Sequence, residues 1–362
     1  MEEMIMEGSL LTEIMKMAMK TSEKQIPLGS HWEFCYSILL GDVQKLVFGK
    51  TSKIPTMLGT DSHSKYYFAM KRYLGHDKLL DAFCILYCMS RAIDTIEDDP
   101  TIPSEIKVPI LEDFHRHIYD RNLPISCGDK HYKVLMDQYH HISTALMDLP
   151  KGCQNSIQNA MKIMGAAMAK FILNEVQTVD DYTEYVCNVT GVVFLEMSKI
   201  MHALNLEDLI SDHLPSSIGI LAEKLHMITD FYDDMIEIPR GRIYWPSQIW
   251  SKYVDKIEDL IYKENSEKAL CCLNDMVTDA LSHAVDSLEY LSTLRHCGTF
   301  QCYAILQVSA IGTLSLCYNN TEVFRGGVRM SRVSLKRADV HDLAMAGVYQ
   351  AVYDFSSTLK MK

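Results

Sequence analysis

Long apolar runs at helical spacing, separated by short polar segments, dominate this chain, while the strict alternation of a half-buried strand is rare. The pattern predicts one or two helices over Tyr66 to Asp98, then Ile106 to Tyr119, Tyr132 to Met147, Ser156 to Asn174 and Thr183 to Leu206. A further helix starts at Pro215-Ser216-Ser217 and stops near Pro239, another follows Pro246-Ser247, and two more cover Ser266 to Leu294 and Phe300 to Tyr318. Pro100 and Pro103 close the first helix, and Ser104-Glu105 is placed to cap the second. Residues 1 to about 60 mix short apolar and polar segments without assignable chemistry, so they are set apart as an N-terminal helical region from the region 61–355. No repeat or low-complexity tract interrupts the series, and the expected architecture is all-α, a single domain with a central cavity.

Composition agrees with helices: 48% of residues are apolar, and Gly (17) and Pro (10) are scarce. A formal charge of −12 argues against nucleic acid as a partner, so an anionic ligand would need local basic groups or a metal. The 11 Cys show neither a CxxC pair nor a disulfide framework, which predicts a reducing compartment, the cytoplasm. Met1-Glu2-Glu3-Met4 lacks the basic start of a signal peptide. The most apolar stretch, Ala304 to Cys317, falls short of the about 18 residues a span requires, so no transmembrane anchor is expected, whereas peripheral membrane contact stays open.

The chemistry concentrates in two acidic clusters. Asp94, Glu97 and Asp98 stand at i, i+3 and i+4 at the end of the apolar run Leu79 to Met89, so a helix would project three carboxylates from one face. Asp230 and Asp234, with Asp233 beside them, repeat the i, i+4 spacing after the apolar run Ile218 to Ile228. A solvated helix end gives the same pattern, but two such clusters, each behind an apolar run, point to Mg²⁺, whose preferred ligands are oxygens. A diphosphate would complete the coordination of such ions.

At this point the chain resembles the squalene and phytoene synthases, and within them the eukaryotic squalene synthases. The resemblance rests on Arg91-Ala-Ile-Asp-Thr-Ile-Glu-Asp98, Tyr182-Thr-Glu-Tyr-Val186 with Gly191, Asp230-Phe-Tyr-Asp-Asp234, Gly241-Arg242-Ile-Tyr-Trp-Pro246, and Cys317-Tyr-Asn-Asn320 running into Val323-Phe324-Arg325-Gly326. It implies a class I isoprenoid synthase fold over 61–355 that joins two farnesyl diphosphates head to head. Mg²⁺ would serve both steps; the first gives a cyclopropyl diphosphate, and the second ionises it and reduces the cation with NADPH.

By the same resemblance Asp94, Glu97, Asp98, Asp230 and Asp234 are the metal ligands, and Arg91 and Tyr87 lie near the substrate diphosphate. Tyr182 shelters a carbocation, and Arg242 and Arg329 serve diphosphate or nicotinamide cofactor. Lys65-Tyr-Tyr-Phe68 replaces a Ser-Arg-Ser-Phe segment that grips phosphate, leaving Lys65 and Phe68 as its substrate-binding positions. His226 and Thr229 replace Asn and Arg ahead of the second acidic motif, Leu306 replaces a Pro, and the hydrophobic C-terminal anchor common in eukaryotic squalene synthases is not found before Lys362. Two alternatives stand beside head-to-head coupling: a diverged terpene synthase that converts one prenyl diphosphate without NADPH, and a non-catalytic paralogue.

Overall fold

The structure, a computed structural model, describes residues 35, 75–123, 125–236, 243–326, 328 and 344–361. The proposed boundary at 60/61 lies outside them. Among the described residues every regular element is helical, in agreement with the all-α expectation. By contacts the chain forms two compact units, one comprising Met1–Ala169 with Glu196–Leu209 and the other Lys170–Leu195 with Ile210–Lys362.

In the first unit, α1 (Asp77–Asp98) packs against α2 (Ser104–His117), α3 (Lys130–Asp137) and α4 (His140–Asp148). The His76 side chain caps α1 by accepting from the Leu79 N–H at 3.2 Å. Leu80, Cys84, Ile85, Cys88, Ala92 and Ile96 recur at helical spacing on its fully buried face. Pro103, not Ser104, is the residue before α2, and it makes no side-chain cap; Pro is suited to a helix start because its missing N–H is not needed there. The single helix expected over Tyr132 to Met147 is two, since α3 ends at Asp137 and α4 begins at His140. Next comes α5 (Lys151–Leu173), one turn longer at its start than its apolar pattern suggests.

In the second unit, α6 (Val179–Val186) starts before the expected Thr183 because Thr178 and Asp181 form a reciprocal capping box. The helix then passes through a π turn, Cys187–Gly191, into α7 (Val192–Ala203), which from Glu196 onward belongs to the first unit. The π turn packs on α8 (His213–Thr229), where a Cβ on Gly219 would lie 2.5 Å from the Thr190 carbonyl oxygen, so only glycine permits that approach. After α9 (Phe231–Ile236) and α10 (Ser247–Trp250) come α11 (Ser266–Leu281), α12 (Ala284–Thr293), α13 (Cys297–Cys317) and α14 (Met345–Met361). The expected helix Ser266 to Leu294 breaks at Ser282, whose hydroxyl donates to the Asp279 carbonyl at 2.7 Å and competes with the helical bond.

One expectation needs correction. The apolar stretch judged too short to span a membrane is part of α13, a helix of 21 residues that is long and apolar enough to cross one by length and composition. The helix expected from Phe300 starts at Cys297, and its first turns, Cys297 to Tyr303, stood outside the apolar stretch because they mix polar and apolar residues. In the structure α13 packs against α8, α11, α12 and α14, and Ala304, Val308, Ile311 and Leu314 are buried, the pattern of a core helix.

Candidate active site

Tyr87, Arg91, Asp94 and Asp98 occupy i, i+4, i+7 and i+11 of α1 and share one stripe of the helix. This is the side that packing leaves open: the first three are half-buried and Asp98 is exposed, while Leu86, Ala92 and Ile93 beside them are buried. Arg91 Nη1 pairs with the Asp94 carboxylate. Its guanidinium lies 5.0 Å from the centroid of the Tyr132 ring, with Nη2 3.3 Å from the Tyr132 hydroxyl. A carboxylate and an aromatic face thus hold the arginine in place.

Glu97 departs from the expected common face: it is 8% exposed and turned toward the core. Lys107 of α2, equally buried, donates its Nζ to the Glu97 backbone carbonyl. A positive charge therefore sits at the C-terminal, electronegative end of the acidic helix, where the helix dipole favours it. Asp99 ends α1 and accepts from the N–H and hydroxyl of Thr101 (2.8 and 2.6 Å) and from the Gly128 N–H (2.8 Å). Burial alone would raise its pKa, but these hydrogen bonds together hold the carboxyl below its ordinary value. Gly128 has φ +79°, and a Cβ there would meet the Thr95 methyl at 2.6 Å, so the loop needs glycine to reach the acidic helix.

The second acidic segment is built on a break. α8 ends at Asp230 (φ −94°, ψ −2°), whose N–H still donates to the His226 carbonyl at 2.9 Å. The Asp234 N–H then donates to the Asp230 carbonyl at 3.0 Å, which preserves the i, i+4 relation across the change of helix. Asp230 Oδ1 lies 3.2 Å from the Thr229 hydroxyl and Oδ2 lies 3.5 Å from His226 Nδ1, so the two positions that depart from the family pattern both touch this carboxylate.

Aromatic residues brace the same segment. Trp245 donates its indole N–H to the Met227 carbonyl at 3.1 Å and packs on Phe231, which also meets Phe324 edge-on. Tyr244 stacks on Tyr185 with centroids 4.1 Å apart. Trp245 and Phe324 of these motifs thereby support the second acidic segment, while Tyr244 packs on α6.

Tyr182 of α6 is wholly buried, and its hydroxyl has no hydrogen-bond partner among the described residues. Burial first, and then the nearby Asp279 and Glu223 carboxylates, push its pKa far up, so the phenol is neutral. Its ring faces the ammonium of Lys224, 4.9 Å from the centroid. Arg242, Arg329, Lys65 and Phe68 lie outside the described residues.

The donor set Asp94, Glu97, Asp98, Asp230 and Asp234 is entirely carboxylate, which fits Mg²⁺. Among the described residues no three His, Cys, Asp or Glu groups converge as a complete cage. Mg²⁺ is ordinarily held by one or two carboxylates and completes its shell with water and ligand phosphates, so this arrangement suits it. Sequence reasoning missed Tyr132, Lys107, Lys224, Asp279 and His283; none shares a helix face with an acidic motif, so spacing gave no signal.

An all-helical chain with an arginine-braced acidic stripe and a second acidic segment at a helix break is a class I isoprenoid synthase, an enzyme of the prenyltransferase type. The family model for squalene/phytoene synthase matches residues 60–337. The chain is 49% identical to squalene synthase 1 of Panax ginseng over 348 residues, which is 96% of this chain and 79% of that protein. Identity to the squalene synthase of Solanum lycopersicum is 47% over the same shares. Two solved structures of TcSQS with bound ligands superpose with TM-scores of 0.81 and 0.79, at 30% and 31% identity, and cover 92% and 91% of each chain. The chain belongs to the squalene/phytoene synthase family.

Proposed function

We propose that this protein couples two molecules of farnesyl diphosphate head to head, through a cyclopropyl diphosphate, to a squalene-type C30 product. The observation that carries the reading is likeness to squalene synthases along 96% of the chain, and the two acidic segments support it. Asp94, Asp98, Asp230 and Asp234 would hold Mg²⁺, which, when bound, stabilises the negative charge of a departing diphosphate, while Glu97, expected beside them, is turned toward the core. Arg91, fixed by Asp94 and Tyr132, orients a diphosphate oxygen, with Tyr87 one turn away on the same stripe. The buried ring of Tyr182 offers a carbocation an electron-rich surface from which water is excluded. Lys65 and Phe68 belong to the substrate site by their motif positions, and Arg242 and Arg329 to diphosphate or NADPH. The cysteine pattern, with neither a CxxC pair nor a disulfide framework, suits a cytoplasmic site of action, and recovery of the native protein only in a detergent-requiring membrane fraction would refute that location.

The test is incubation of the purified protein with farnesyl diphosphate and Mg²⁺, with and without NADPH, followed by mass spectrometry before and after phosphatase. C30 hydrocarbon with NADPH, or a cyclopropyl alcohol after phosphatase without it, is expected. C15 hydrocarbons or alcohols alone would replace the reading with a single-substrate terpene synthase. NADPH is also expected to raise the melting temperature, and no shift at saturating cofactor would count against a reductive second step.

A further inference from the structure

Within the second unit Lys224 is 0% exposed, on a helix whose buried face is otherwise mostly apolar. Its Nζ lies 3.0 Å from Thr183 Oγ1, 2.7 Å from Asp279 Oδ2 and 3.0 Å from His283 Nε2. An ammonium has three N–H donors, and here three acceptors, from α6, α11 and the turn after α11, take one each. For His283 to accept through Nε2 its ring must be neutral with the proton on Nδ1. Burial, and next the charge of Lys224, lower its pKa and favour that form, against the weaker opposing pull of Asp279 and Asp286.

The cation is thus fixed by three acceptors, and the Tyr182 ring lies against it. A buried ion pair is weak support for stability, because desolvation offsets its attraction; stability alone gives no reason for a lysine here. Tyr182, for its part, has no hydrogen bond at its hydroxyl among the described residues, so the ring is held by packing and by the contact at its face.

We propose that Lys224 is a positioning residue: its anchored ammonium fixes the Tyr182 ring and occupies one of its faces, so that a carbocation meets only the opposite face. A ring free to tilt, or open on both faces, would leave the cation more than one position and expose it to proton loss or capture by water. The inference rests on the proposed role of Tyr182 at the reacting carbons. It is separable from that role by experiment.

Removing Lys224 alone would strand the Asp279 carboxylate, so the variant is Lys224→Met/Asp279→Asn, which removes both charges. Two readouts apply: steady-state kinetics with product analysis, and fluorine NMR of protein carrying 3-fluorotyrosine, with the Tyr182 resonance identified by Tyr182→Phe. The folded double variant is expected to lose about 10- to 100-fold in kcat, with KM unchanged, a larger C15 fraction, and a shifted or broadened Tyr182 resonance. Wild-type kcat or an unmoved resonance in the folded double variant overturns the proposal and leaves the cluster a clamp between helices. Lys224→Arg keeps a cation against the ring and guards against a double variant that does not fold: kcat closer to wild type than that of Tyr182→Phe supports the proposal, and a loss as large as that variant's overturns it. If the wild-type enzyme makes no C30 product, the proposed function falls while the fluorine resonance still decides whether Lys224 holds the ring.

Discussion

The two acidic segments carry one chemistry on unlike backbones. In the first, Asp94 and Asp98 project from the uninterrupted helix α1, with Arg91 paired to one acid and Lys107 set against the helix end. In the second, Asp230 is the residue that caps one helix and Asp234 belongs to the next, and a single backbone hydrogen bond joins them. The first set is held rigid by helix geometry and internal cations. The second depends on a local break, on Thr229 and His226, and on the aromatic brace of Phe231, Trp245 and Phe324. Equal spacing in sequence therefore conceals unequal mechanical support.

The largest effects should treat the segments alike. Asp94→Asn and Asp230→Asn are each expected to lower kcat by about 10²- to 10³-fold, with melting temperatures near wild type; unchanged turnover in either would remove that residue from the metal site. Lys107→Met should separate them. It strips the Glu97 carbonyl of a buried donor and is expected to cost about 1–3 kcal/mol in denaturant unfolding, whereas a loss confined to activity would show that Lys107 acts on substrate and not on α1.

Acid should also act on the first segment through Asp99. Its folded carboxyl titrates below the ordinary 3.8, so its stabilising contribution is complete above that value and is lost as pH falls through the lower, folded one. Melting temperature followed from about pH 5 down to about pH 2.5 should fall less steeply in Asp99→Asn than in wild type, and parallel curves would exclude this linkage. The smallest effect belongs to the second segment: Thr229→Val removes the hydroxyl beside Asp230 and should cost about 0.5–1.5 kcal/mol, read as a modest loss in melting temperature with a few-fold weaker Mg²⁺ dependence.

Regular features were legible in the chain and irregular ones were not. The stripe of Asp94 and Asp98 follows directly from helical period, and the apolar runs of α1, α8 and α13 located the core. The inward turn of Glu97 was hidden, since spacing alone does not say where packing closes over the edge of the stripe. The break at Asp230 and the π turn at Cys187–Gly191 fall within stretches expected to be continuous helix, and neither carries a proline to mark where packing alone changes the backbone. Lys224 reads in sequence as an ordinary lysine at the edge of an apolar run. Its burial is made possible by Thr183 and Asp279, 41 and 55 positions away, a pairing that no local periodicity announces.

The π turn between Tyr182 and α7 has a consequence for how this enzyme could be altered. A π turn holds one residue more than the α turn it replaces, so deleting a single residue within Cys187–Gly191 would rewind the segment as continuous α-helix and leave α6 and α7 in nearly the same rotation about the axis, whereas a deletion within α6 itself would turn its first part by about 100°. Tyr182 and Thr183 would keep their direction toward Lys224 after a deletion in the π turn, and would lose it after a deletion between Thr183 and Val186, although every side chain in the cluster was retained. The π turn is thus the place where this helix can change its length by one residue without re-aiming the aromatic ring, a tolerance that substitution scans would never sample.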